Sequence, residues 1–193
     1  MSEVEACTDV RAFFREQVAE ALRSLDVKTA EHTEHYLVNL LAGYSVSERI
    51  QELSAPFVEQ LGQALAHSGA ARTQRLRALG DAALFVSGFL SDSCDRRGVT
   101  PVYVIAIGAR AYGEVGRAPA AGATARPDLF LELAQRFESF ARVLDEVREQ
   151  TAMCSDGDLV RLYERWRVKR SPRILRRLRR RGVTPGHGSR QIN

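Results

Sequence analysis

Four arginines, Arg173, Arg176, Arg177 and Arg180, recur at three- and four-residue spacing within RVKRSPRILRRLRRRGV, residues 167 to 183. The stretch holds nine Lys or Arg and no acid, so its side chains repel one another until an anionic surface relieves them. Phosphate suits guanidinium groups because the planar fork donates two hydrogen bonds at once. On a helical wheel the four arginines share an arc of about 100°, opposite Ile174, Leu175 and Leu178. Ser171 and Pro172 read as an N-cap and first helical position, and Gly182 as the stop. The spacing therefore predicts a short helix with an apolar side for docking and a cationic side facing out. Arg167, Lys169 and Arg170 are flanking cations. Nucleic acid is the first partner for such a face and an acidic protein surface the second. Anionic lipid ranks third, because three apolar residues are few for a helix lying on a membrane. Aromatic side chains near the cluster are limited to Tyr163 and Trp166, so backbone binding without base readout is expected. The competing reading is a solvated helix whose arginines keep the chain soluble or neutralise the acidic body of the same chain or a neighbour.

Other residues invite chemistry less strongly. In EHTEH, Glu31 to His35, His32 and His35 have the three-residue spacing of helical metal sites. The wheel sets Glu31, His32 and His35 opposite the Tyr36, Leu40 and Tyr44 stripe, and a bundle metal site needs inward ligands from several helices, so no metal is expected. Asp81, in an otherwise apolar stretch, has the setting of a carboxylate with a raised pKa. Arg77 one turn earlier gives a simpler account, an intrahelical pair on a polar arc. Gly108, Gly113 and Gly116 match neither a dinucleotide fingerprint nor a phosphate loop and read as close-packing positions; no cofactor is expected. His67 and His187 stand alone, and no Ser, His and Asp fall at a spacing diagnostic of nucleophilic catalysis. Cys7, Cys94 and Cys154 are odd in number and far apart, which suggests neither a disulfide framework nor a zinc site.

The elements that must position these residues are helices throughout. Val10, Phe14, Val18, Leu22 and Leu25 predict a first helix from Thr8 or Asp9. A second begins at Thr29, with Tyr36, Leu37, Leu40, Leu41 and Tyr44 on one arc and Gly43 as its stop. Ser45 and Glu48 have capping-box spacing ahead of Ile50, Leu53, Phe57, Leu61 and Leu65. Pro56 interrupts that stripe, predicting a kink or two short helices joined at Ser54. Leu76 to Leu90 is apolar nearly all round, as an enclosed helix is. Its small residues Gly80, Ala83 and Ser87 share a narrow arc for close approach, while Arg77, Asp81, Asp92 and Asp95 form a polar arc toward water. VYVIAI within residues 101 to 116 looks like a strand in isolation, but Thr100 and Pro101 make a helix start and no partner strand exists. The wheel there sets Arg110 and Glu114 beside Tyr103. After a loop at 118 to 127, Phe130, Leu133, Phe137, Phe140, Leu144 and Val147 predict one long amphipathic helix. SDGD at 155 to 158 ends it, and Leu159, Leu162, Tyr163 and Trp166 lead into the basic segment.

The expected fold is all-α, a single-domain bundle of about seven helices around a central apolar hairpin of residues 76 to 116. From Asp158 onward there are twelve Lys or Arg against two acids, a net of +10, which leaves −6 on the preceding 157 residues of a chain that totals +4. The expected organisation is thus an acidic helical body over 1–157 with a basic helical extension, 158–193, docked on the same domain. No apolar run approaches the roughly 20 residues that span a bilayer. The acidic opening MSEVEACTDV lacks a signal peptide's pattern, so a cytoplasmic location is expected. The phrases GDAALFVSGF and DLVRLYERW resemble an uncharacterised all-helical bacterial protein family, over most of the chain's length; the resemblance implies the fold and no activity. The function expected is a non-enzymatic binding or regulatory role through the arginine face. The alternatives are a helical-bundle enzyme or ligand or metal carrier, and a subunit of a larger, homo-oligomeric assembly.

Overall fold

The computed structural model describes residues 3–46, 56–90, 100–118 and 127–151. Among the described residues every regular element is a helix, seven in all. They are α1 (Glu3–Ser24), α2 (Glu31–Val46), α3 (Phe57–Ala66), α4 (Gly69–Gly88), α5 (Pro101–Arg117), α6 (Pro127–Gln135) and α7 (Phe137–Thr151). The chain divides into two units, Met1–Arg148 and Glu149–Asn193. The packing described below lies within the first. No helix among the described residues is long and apolar enough to cross a membrane.

The ends of the helices follow local chemistry. Pro101 occupies the first turn of α5, where its missing N–H is an orphan anyway, and Thr100 precedes it in extended conformation. The VYVIAI segment is therefore helical: Val104, Ile107, Ala111, Tyr112 and Val115 form its buried side. Pro56 stands directly before α3. α1 ends in a Schellman turn, with Val27 N–H bonded to the Leu22 carbonyl and Asp26 N–H to that of Arg23. Asp26 takes the left-handed conformation there, at φ 52°.

The core centres on α4 and α5. Leu76, Leu79 and residues 82–88 are buried on α4, which has almost no exposed side over its second half. A Cβ on Gly80 would strike the Tyr112 ring, and one on Gly108 would reach the Ala83 side chain at 2.7 Å. Positions rise along α4 as they fall along α5, so the two run antiparallel with the small-residue arc between them. α7 lies against both: Phe137 fills the space over Gly108, and Ala141 and Leu144 close over Gly88. α6 packs on α5 with Leu131 over Gly116. α1 packs on α2, and α3 on α4.

Three local expectations are corrected. α2 runs through Gly43 to Val46, so Gly43 is no stop and Ser45 lies inside a helix rather than ahead of one. α1 begins at Glu3, ahead of Thr8. The long helix after residue 127 is two, parted at Arg136. The interruption is slight, because Arg136 N–H still reaches the Glu132 carbonyl at 3.0 Å and Phe140 N–H that of Arg136 at 3.1 Å. It coincides with a tether, since the Arg136 guanidinium also donates to the Lys28 carbonyl at 2.6 Å. The capping partner Glu48, the loop at 119–126, Asp92, Asp95 and everything after Thr151 lie outside the described residues.

Candidate functional site

Asp81 does not simply pair with Arg77 along its own helix. It receives the Tyr36 hydroxyl of α2 at 2.5 Å and the Tyr112 hydroxyl of α5 at 2.7 Å, both on Oδ1. Arg77 Nε donates to the Tyr36 hydroxyl oxygen at 3.1 Å, which chains the guanidinium to the carboxylate through a phenol. The described part of the polar arc on α4 therefore faces two other helices, with Arg77 at its exposed end. Tyr112 is fully buried, and burial first, then the Asp81 charge, drives its phenol well above the ordinary value. Tyr36 shifts the same way, again through burial first and the Asp81 charge second. Both phenols thus stay protonated donors at neutral pH. Burial works against the charge on Arg77, but the Tyr36 hydroxyl and Asp81 outweigh it, and the guanidinium holds its proton more firmly than usual.

A second polar cluster joins the start of α2 to α6. The Thr29 hydroxyl donates to Glu132 Oε1 and the Thr33 hydroxyl to Oε2, each at 2.7 Å. Arg136, one turn on, bonds Glu132 Oε1 at 2.8 Å. Thr33 is completely buried, so the carboxylate answers a hydroxyl that has lost water. Partial burial pushes the Glu132 carboxyl up, but the two hydroxyls and the Arg136 charge prevail and hold it below the ordinary glutamate value near 4.5. A depressed carboxyl contributes stability above its unfolded pKa and loses it as pH falls through the folded value. In urea unfolding from pH 7 to 3, the stability gap between wild type and Glu132→Gln is expected to be widest above pH 4.5 and to narrow on acidification. Thr33→Val is expected to cost about 1.5 kcal/mol at pH 7.

The remaining candidates fall as follows. Arg72 on α4 bonds Glu114 on α5 at 2.6 Å, so Glu114 is tied across to α4. Glu31 and His35 are exposed, His32 is half-buried, and Arg15 approaches His35 Nε2 at 3.4 Å. Among the described residues no group of three or more His, Cys, Asp or Glu is arranged to hold a metal. His67 sits at the end of α3 against the Gln63 carbonyl, 2.7 Å away. Gly108 and Gly116 do meet neighbouring helices, whereas Gly113 faces the flexible Arg117 guanidinium. Arg167, Lys169, Arg170, Arg173, Arg176, Arg177 and Arg180 lie outside the described residues, as do His187, Cys94 and Cys154.

Sequence reasoning misses Tyr36 and Tyr112 as polar groups because each falls on an apolar stripe, and their rings do pack in the core. The available signal was the lone acid on the most buried helix: a carboxylate there needs donors, and phenols on neighbouring apolar stripes can supply them. No family model matches the chain, and no curated protein or solved structure is similar to it.

Proposed function

We propose that this chain is a non-enzymatic binding or regulatory protein whose basic C-terminal segment engages an anionic partner, nucleic acid before any other. The observation that carries the reading is the segregation of charge: +10 over residues 158 to 193 against −6 over the rest. A uniformly basic surface would serve solubility as well, but a body of opposite sign makes the end of the chain the place where anions collect. The helical body supports this division of labour. The carboxylates of Asp81, Glu114 and Glu132 are each bonded to side chains of other helices, so they act as fastenings between elements. Arg173, Arg176, Arg177 and Arg180 carry the contact, with Arg167, Lys169 and Arg170 beside them.

The test is the affinity of full-length protein for duplex DNA and for single-stranded RNA, measured by fluorescence anisotropy across a salt series. Each phosphate neutralised on B-DNA steepens the logarithmic salt dependence by about 0.9. Replacing the four arginines together by Ala is expected to flatten that slope by about 3 to 4 and to weaken all sequences alike. A slope near zero in the wild type, or one untouched by the four substitutions, overturns the reading.

A further inference from the structure

Arg77 stands at an exposed position on α4, yet its guanidinium lies against aromatic rings. Its central carbon is 5.2 Å from the centre of the Tyr36 ring and 5.7 Å from that of Phe130. Those two rings meet at 84° with their centroids 5.6 Å apart, so their faces form a corner. Tyr112 backs the corner, 6.4 Å from Tyr36 and 5.8 Å from Phe130. Asp81, one turn along α4, brings a formal negative charge, and both phenols hold it in place. The electron-rich face of a ring attracts a cation within about 6 Å, and a carboxylate behind the rings adds to that attraction. Two ring faces and a carboxylate constitute a receptor for a compact organic cation. Here a side chain of the same protein occupies it.

The parts differ in how firmly they are held. The rings come from α2 and α6 and pack against the core. The arginine arrives on a long flexible stem and is fixed to the corner by the hydrogen bond from Nε to the Tyr36 hydroxyl. Arg77 itself is exposed, so its stem has water beside it, while Tyr36 and Phe130 are packed against the core. We propose that Tyr36, Phe130 and Asp81 form a binding site for a small organic cation of the guanidinium or methylated ammonium class, and that Arg77 is its resident plug. Ligand and plug exclude each other, so the protein binds the cation only as far as Arg77 leaves. The two ligand types share charge and size. A guanidinium also replaces the hydrogen bond to Tyr36, while a tetramethylated nitrogen uses ring faces and charge alone.

The experiment is calorimetric titration of full-length protein with methylguanidinium and, separately, tetramethylammonium. The wild type is expected to bind at least one of them. Arg77→Ala is expected to bind it about tenfold or more tighter, because the plugged population no longer subtracts from the competent one. Adding Tyr36→Leu to that variant removes a ring face and is expected to abolish the gain. In the same Arg77→Ala background, Tyr36→Phe keeps the face and loses the hydroxyl, so it is expected to lower affinity for methylguanidinium and spare tetramethylammonium. Two results overturn the proposal. One is the absence of binding of either cation to the wild type, even where methylguanidinium restores stability to Arg77→Ala; Arg77 is then a fixed strut. The other is an Arg77→Ala protein, folded by circular dichroism, that binds no tighter than wild type. Should Arg77→Ala fail to fold, Arg77→Gln, which keeps a shorter stem without the charge, stands in for it under the same criteria.

Discussion

Truncating Tyr112 to Ala is expected to destabilise the protein by about 4 kcal/mol, within the range for loss of a buried aromatic ring. Tyr112 is among the largest side chains with no exposed surface. Its ring touches Phe130 and Phe137 at 5.8 Å between centroids and covers the face of Gly80. Removal leaves a void between three helices that are themselves closely packed, so little collapse can offset it. Tyr112→Phe keeps the ring and deletes the donor to Asp81, and is expected to cost about 1.5 to 2 kcal/mol, the scale of a hydrogen bond to a charged group. Denaturant unfolding of the two variants separates the contributions. A Phe variant as stable as wild type shows that the phenol is idle; one as damaged as the Ala variant shows that the hydroxyl, and not the ring, holds the junction. Because Tyr36 and Tyr112 donate to the same oxygen, the double Phe variant is expected to deviate from the sum of the singles.

Adding one methyl group at Gly108 is expected to cost about 2 kcal/mol, even though alanine favours a helix over glycine by about 1 kcal/mol. The new Cβ would lie 2.6 Å from Phe137 Cε2 and 2.7 Å from the Ala83 Cβ. Neither neighbour can yield cheaply. Phe137 is buried against α5, and Ala83 is fixed to the α4 backbone it projects from. The internal control is Gly62 on α3, which is exposed and where an added methyl would meet nothing within 4 Å. Gly62→Ala meets the same propensity change without the collision and is expected to stabilise by about 0.5 to 1 kcal/mol. Thermal unfolding of the pair reads the difference directly, and two shifts of the same sign would show that α5 can move away from α4 and α7.

The helical body was largely legible in the sequence because its signals are local and redundant. Gly80, Ala83 and Ser87 mark the approach face of α4, and the wheel alone locates it. Thr100 and Pro101 decide for a helix where VYVIAI by itself suggests a strand. Boundaries were less legible: Gly43 has the identity of a helix stop, but the turn beyond it stays helical. The polar junctions were illegible for a deeper reason. Arg77 lies four residues from Asp81, so a linear reading joins them, whereas Tyr36 and Tyr112 are 45 and 31 residues away and meet Asp81 only through the packing of three helices. Glu132 poses the same difficulty. Its partners Thr29 and Thr33 look like ordinary residues of a helix start, and nothing near Glu132 in the chain announces them. The arrangement at Arg136 follows from that clasp, since the arginine that parts α6 from α7 also reaches back to the Lys28 carbonyl.

That clasp also orders events during synthesis. Thr29 and Thr33 are separated from Glu132 by 103 and 99 residues. When α1 and α2 emerge from the ribosome, they can pair with each other at once, but the hydroxyl buried at Thr33 still awaits the carboxylate it bonds in the finished fold. A nascent N-terminal hairpin therefore keeps a wet, unfinished edge until α6 is translated, and protection of that edge from solvent arrives late, with the far end of the body.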